Sequence, residues 1–202
     1  ADLRWEWYLS EIDNLSVALF YKDMDKPIER VVQAASGTAG NTRTFQNSDS
    51  AALCGVELDG RFEFILGDGY DQTLFFAFNA AFIESEVSAN NQEDRSLQGQ
   101  PDYTANLIFG YDHVSAGHQL TVLLNQNGKS IADVGVSGQP DVFLEPRLDL
   151  NVVYRFGISD SLTLKAKLEN LLDDAIEYTQ GGQIFQVYNR GPSIQVGLDW
   201  QF

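Results

Sequence analysis

RLDLNVVYRFGISDSLTLKAKLE, residues 147–169, contains two runs in which apolar and polar side chains alternate. In the first, Leu148, Leu150, Val152, Tyr154 and Phe156 alternate with Arg147, Asp149, Asn151 and Arg155. In the second, Leu162, Leu164, Ala166 and Leu168 alternate with Thr163, Lys165, Lys167 and Glu169. Successive side chains of a strand point to opposite faces, so period two gives each strand one apolar and one polar face. The polar face here carries charges of both signs at mid-strand. Buried unpaired in a soluble core they would be strongly destabilising. Facing a wet lumen they keep their hydration, and the apolar face is then left to meet lipid.

The same alternation recurs along the chain. Leu3, Trp5, Trp7 and Leu9 share one face of 2–11, and Leu15, Val17, Leu19 and Tyr21 one face of 15–24. Ala52, Cys54, Val56, Leu58, Phe62 and Phe64 oppose Glu57, Asp59, Arg61 and Glu63 within 51–65. Leu74, Phe76, Phe78, Ala80 and Phe82 share a face of 73–87, opposite a weakly polar one. Residues 103–112, 119–125 and 193–202 repeat the pattern, which predicts about nine strands in all and no helix. Most approach the ~9–11 residues that cross a bilayer at a tilt.

Two further features separate a membrane barrel from a soluble sandwich. Short links at 12–14, 67–72, 113–117 and 157–161 alternate with long ones at 25–43, 89–101, 128–141 and 173–191. Barrels sort their connections this way, with tight turns on the periplasmic side and loops outside. Trp5, Trp7, Tyr103, Tyr111, Tyr154, Phe156, Trp200 and Phe202 also lie towards strand ends on the apolar face, where membrane barrels carry aromatic girdles.

Composition is consistent with this reading. No run reaches the ~18 apolar residues of a membrane helix, and the nearest, Thr73–Ile83, is broken by Asn79. Alternation keeps averaged hydropathy low even in lipid-spanning barrels. The formal net charge of −16 argues against nucleic acid and against docking on anionic lipid. It describes a solvated acidic surface, or acidic loops that attract cations or cationic ligands. Cys54 is the only cysteine, so neither a disulfide framework nor a cysteine metal site is expected. The start, ADLRWEW, lacks the pattern of a signal peptide. The expectation is that a leader was removed or that these residues are the back part of a longer polypeptide.

With the last strand ending at Phe202 on the periplasmic side, counting back through the short turns puts Ala1 on the extracellular side. An odd strand count with opposed termini cannot close alone, and open edges in lipid cost several kcal/mol per unsatisfied group. The remaining strands are expected from a preceding segment or a second polypeptide.

Several segments resemble the end of TonB-dependent receptors. GPSIQVGLDWQF (191–202) resembles that family's last strand. LKAKLENLLDD (164–174) resembles its penultimate strand, which runs into an Asn-Leu-x-Asp turn. PDYTANLIFGYD (101–112) and GQPDVFLEPRLDLNVVY (138–154) resemble its middle-to-late strands. The terminal Phe also resembles the signal read by the barrel-assembly machinery. The resemblance implies an all-β, antiparallel, up-and-down segment, residues 1–202, of a roughly 22-stranded plugged barrel. It implies import of a scarce nutrient in the outer membrane. Partners would be a plug absent from this chain, the TonB complex acting through that plug, the remaining strands and outer-membrane lipid. No cofactor or metal is implied. A passive porin-like or structural two-chain barrel is the alternative, and an outer-membrane enzyme the third.

Chemistry-bearing residues are few. His113 and His118, the only histidines, both fall at one predicted periplasmic turn, away from where a barrel hydrolase would hold its base. Glu57/Asp59 and Asp173/Asp174 have the chemistry of Ca²⁺ ligands but read better as solvated charge. Gly37–Gly40 and Gly181–Gly182 are loop punctuation rather than phosphate cradles. Ligand-contact candidates are Tyr178, Phe185, Tyr188 and Arg190 in the 177–190 loop, and the lumen arginines Arg147 and Arg155, which also suit packing against a plug.

Overall fold

The computed structural model describes residues 1–35, 40–67, 69–89 and 94–202, and every regular element among them is a strand. Gly37 of the Gly37–Gly40 stretch lies outside the described residues. Nine strands form one sheet in sequential order: β1 (Asp2–Tyr8), β2 (Asn14–Asp25), β5 (Ser50–Leu66), β6 (Gln72–Ser88), β7 (Tyr103–His113), β8 (His118–Asn127), β11 (Arg147–Ser159), β12 (Leu162–Glu169) and β15 (Ser193–Trp200). Every neighbouring pair is antiparallel. Short turns therefore all fall at one end of this wall, and long connections at the other.

Register turns the alternation of single strands into continuous stripes, because residues paired across strands share a face. Trp7, Leu15, Gly60, Phe78, Leu107, Leu124 and Leu150 lie in one apolar row. The next row runs Phe62, Phe76, Phe109, Val122, Val152, Leu168 and Ile194. The Phe76 ring lies 5.6 Å from Phe78 and 4.9 Å from Phe109, centroid to centroid. On the opposite face one row reads Glu6, Ser16, Asp59, Asn79, Asn106, Asn125 and Asp149, polar across seven strands. That face is not uniformly polar, since Phe75, Ile108 and Leu123 stand on it too.

The apolar face is open. Phe109 is 51% exposed and Trp200 71%, and Cys54 is exposed on the same side. No second layer packs on it among the described residues. An uncovered apolar surface of this breadth is stable only against lipid or a large partner.

The stagger of the turns fixes the tilt. From the β1–β2 turn to the β11–β12 turn is six strand-to-strand steps. Over those steps the paired rows drop five residues along β5, from Arg61 to Leu66, and three along β11, from Phe156 to Ser159. With ~3.3 Å per residue and ~4.8 Å between strands, turns that end level require strands tilted by about 40°. Membrane barrels tilt by about 35–45°.

The long connections differ from the sequence expectation of irregular loops. They hold six more strands, β3 (Ile28–Ala34), β4 (Asn41–Asn47), β9 (Ser130–Gly135), β10 (Val142–Leu144), β13 (Ile176–Gln180) and β14 (Gln183–Tyr188). These form a second sheet in the order β14-β13-β10-β9-β3-β4, so hairpins from three separate connections are zipped together. The junction is a short parallel pairing of β3 with β9, Val31 with Val134 and Val32 with Gly135. Gly181 and Gly182, at φ 59° and 77°, form the two-residue turn between β13 and β14.

Glycine reports where backbone or rings press close. A methyl added at Gly135 would meet the Gln139 carbonyl oxygen at 2.1 Å, and backbone there cannot swing aside. At Gly110 the obstacle is only the Phe75 ring. Gly135→Ala should cost about 1–3 kcal/mol of local stability, as overpacking does, and Gly110→Ala less. Amide exchange across β9 in the intact protein checks this order; equal effects would refute it.

Candidate ligand site in the loop sheet

The long connections are held together by charge as well as by strand pairing. Asp133, on β9, is 1% exposed. Its Oδ1 accepts from Nε of Arg30 on β3, and its Oδ2 from Nε of Arg43 on β4, the latter at 2.8 Å. Arg30 Nη2 also donates to the Ala132 carbonyl at 3.0 Å. Both arginine side chains are nearly half exposed, 46% and 47%. Gln98 ties the 94–102 segment to the same place. Its Nε2 donates to the Arg30 and Ala132 carbonyls, and its Oε1 accepts from the Arg30 N–H.

A second buried pair lies beside it. Arg95 forks onto Glu29 through Nη1 at 2.8 Å and Nη2 at 2.7 Å, while Ser48 donates its hydroxyl to Glu29. Burial alone would push the Glu29 carboxyl up, but the Arg95 and Ser48 bonds outweigh it and hold it below the usual carboxylate range. Lys129 and Thr179 likewise hold Glu145 down, and Lys129 stands 4.5 Å over the Phe143 ring. A small apolar core of Val31, Ile131 and Val134, flanked by Val136 and Phe143, completes the unit.

This sheet is curled. β4 and β14 are its opposite edges, which a flat sheet would place about 24 Å apart at ~4.8 Å per step. Yet Arg43 stands 5.8 Å over the Phe185 ring of β14, and Asn41 donates to Gln180 of β13 at 3.4 Å. The Arg30–Asp133–Arg43 cluster and Phe185 therefore share the concave side.

The structure unites only part of the set read from sequence. The 177–190 stretch, expected as a loop, is largely a hairpin. Tyr178 and Tyr188 meet edge-on at 6.1 Å, and Phe185 joins Arg43. Arg190 is exposed beyond β14. Arg147 and Arg155 lie on the polar face of the wall, paired with Asn127 and Gln119. Arg147 Nη2 is 3.6 Å from Asp149 Oδ1, too long for a hydrogen bond. Arg155 has no ion-pair partner among the described residues. Among the described residues no hydrogen bond or ion pair joins either arginine to the loop-sheet cluster. Arg30, Arg43, Asp133, Glu29 and Arg95 escaped the sequence reading. No local signal marked them; the Gly-Gly turn between five- and six-residue runs, a hairpin signature, was legible only for β13 and β14.

The histidines serve packing. His118 Nδ1 shares a hydrogen bond with the Tyr154 hydroxyl at 2.7 Å and its ring stacks on Phe156 at 4.6 Å. His113 lies 3.4 Å from Asp71, whose carboxyl is held low first by the Ser115 N–H and then by the Ser115 hydroxyl. Ser115 thus donates directly to the Asp71 carboxylate, without the imidazole that lies between serine and acid in a Ser-His-Asp arrangement. Among the described residues no group of three or more His, Cys, Asp or Glu is placed to hold a metal.

Comparison with known proteins agrees with this architecture. A family model described as TonB dependent receptor-like, beta-barrel, matches residues 1–171. No curated protein matches. Among solved structures, the siderophore receptor PirA from Acinetobacter baumannii superposes with a TM-score of 0.66 at 19% identity, covering 100% of this chain and 32% of that one. A ferric enterobactin receptor mutant (PfeA) from Pseudomonas aeruginosa, in complex with enterobactin, gives 0.62 at 20% identity, covering 100% and 31%. The chain therefore spans about a third of these structures, and at such identity the likeness concerns the fold. A tilted wall with one continuous apolar face and one polar face, matched by that family model over most of its length, is a piece of one kind of barrel: the chain belongs to the β-barrel family of TonB-dependent receptors.

Proposed function

We propose that residues 1–202 form the C-terminal wall and loops of an outer-membrane receptor that imports a scarce nutrient at the expense of energy delivered through TonB. The observation that carries this reading is the two-faced nine-stranded wall together with the family match over 1–171. Short turns, and with them the C-terminus, face the periplasm; the long connections face outward. The two wall edges, β1 and β15, pair with the remaining strands of the barrel. The polar face receives a plug, through which TonB acts, and the apolar face meets lipid after insertion by the barrel-assembly machinery. PirA and PfeA are described as siderophore and ferric enterobactin receptors, which makes iron chelates the first nutrients to try. A sheet of three interlocked hairpins curled at the outer end favours this over a passive open pore.

Uptake of labelled nutrient should require both the intact receptor gene and TonB. Uptake that persists without TonB, with steady open-channel conductance in planar bilayers, would establish the passive alternative instead.

A further inference from the structure

The import reading leaves the ligand's charge open, and the loop sheet answers it. We propose that Arg30 and Arg43, held in line by the buried carboxylate of Asp133, form a fork that binds neighbouring anionic oxygens of the ligand. The inference rests on the loops being the outward, ligand-facing end of the barrel.

The geometry separates holding from binding. Asp133 uses one carboxylate oxygen for each Nε, so it grips the inner edge of both guanidinium groups. The Nη atoms of Arg43 have no hydrogen-bond partner among the described residues, and the side chain is 47% exposed. A guanidinium presents five N–H donors in a planar fork that suits two adjacent oxygens. Two arginines against one carboxylate leave the cluster itself with a net positive charge, in a chain of net charge −16. Phe185, under Arg43, limits how far that side chain can swing. The same arrangement would reject a cationic ligand, which overall charge alone would have admitted. Asp133 is a positioning residue: it is too buried to touch a ligand and acts through the arginines.

Pyrophosphate, a compact carrier of adjacent oxyanions, is a suitable probe of the purified full-length receptor. It should bind saturably and protect Arg43 from phenylglyoxal. Asp133→Asn gives opposite signs for two mechanisms. It adds one positive charge to the site, so simple Coulomb attraction predicts tighter binding. Positioning predicts binding weaker by about tenfold, because the amide nitrogen cannot accept from one arginine and the remaining oxygen, now neutral, holds the other more weakly. Should Asp133→Asn loosen the loop sheet, seen as faster amide exchange at Val31, Ile131 and Val134, then Arg43→Lys decides. It keeps the charge but loses the fork, and affinity should again fall by about tenfold. Absence of saturable binding, tighter binding in Asp133→Asn with intact exchange protection, or unchanged affinity in Arg43→Lys overturns the proposal. None of these measurements involves TonB or transport. A failed fork would leave TonB-dependent uptake standing, and failed uptake would leave the fork.

Discussion

Phe78→Arg should prevent most of the intact receptor from reaching its folded form in the outer membrane, whereas Asn106→Arg should assemble normally. Along β6 the apolar face runs from Gln72 through Leu74, Phe76, Phe78, Ala80 and Phe82 to Glu84. At ~3.3 Å per residue and a tilt of about 40°, the two polar ends stand about 30 Å apart, close to the apolar band of a membrane barrel. Phe78 is the middle of that span. An arginine at the midplane of a barrel's lipid face costs about 2–4 kcal/mol. Here the loss is larger, because the Phe78 ring lies against Gly60 of the neighbouring strand and would leave its backbone uncovered. Asn106 faces the other way, bonded through Nδ2 to Asn79 at 2.6 Å in the polar row, where an arginine keeps its water. Heat-modifiable mobility of membrane-extracted receptor gives the folded fraction of each. If Asn106→Arg proved the damaging change and Phe78→Arg the silent one, the two faces would have to be exchanged.

The wall was legible because a strand buried on one side writes its faces into every second residue. Each of the nine predicted runs corresponds to a wall strand, from Leu3, Trp5 and Trp7 to Ile194, Val196 and Leu198. β5 and β6 exceed the predicted runs 51–65 and 73–87 by a single residue at each end, although Glu84 and Glu86 fall on the otherwise apolar face. The loop sheet, by contrast, was not legible. In β3, Glu29 and Val31 share a face, and the buried set Glu29, Val31 and Val32 has no period at all. Its strands are short, β10 only three residues, and are held by ion pairs between segments about 66 to 103 residues apart in sequence. Nothing local in the sequence at Asp133 announces Arg30 and Arg43 as its partners. Phe185 was identified from its chemistry, and its role beside Arg43 depends on a curl that no periodicity encodes.

The buried pair beneath the fork makes the loop sheet one cooperative unit, so Glu29→Ala should release it while the wall stays folded. Glu29 is 1% exposed and accepts from Arg95, Ser48 and the Gln98 N–H. Arg95 is only 12% exposed, and its Nε already lacks a partner. Removing one member of such a pair strands the other charge and costs about 3–5 kcal/mol, whereas replacing both by apolar residues of similar volume is often neutral. Buried apolar side chains such as Val31, Ile131 and Val134 contribute about 1.5–3 kcal/mol each, most of it offset by the entropy of ordering three hairpins, so a loss of that size is a large share of the sheet's stability. The wall shares little of it: the 94–102 segment bridges the sheets, with Arg95 meeting Val87 of β6 and Gly99 donating to Ile131, but no continuous hydrogen-bonded ladder joins them. Hydrogen exchange of the intact receptor should therefore show protection lost at Val31, Ile131 and Val134 and kept at Val152 and Leu168. Glu29→Met combined with Arg95→Met should recover much of it. Loss of protection in both sheets together would mean that the loops and wall unfold as one body. Unchanged protection in Glu29→Ala would mean that the ion pair contributes nothing to holding the hairpins closed.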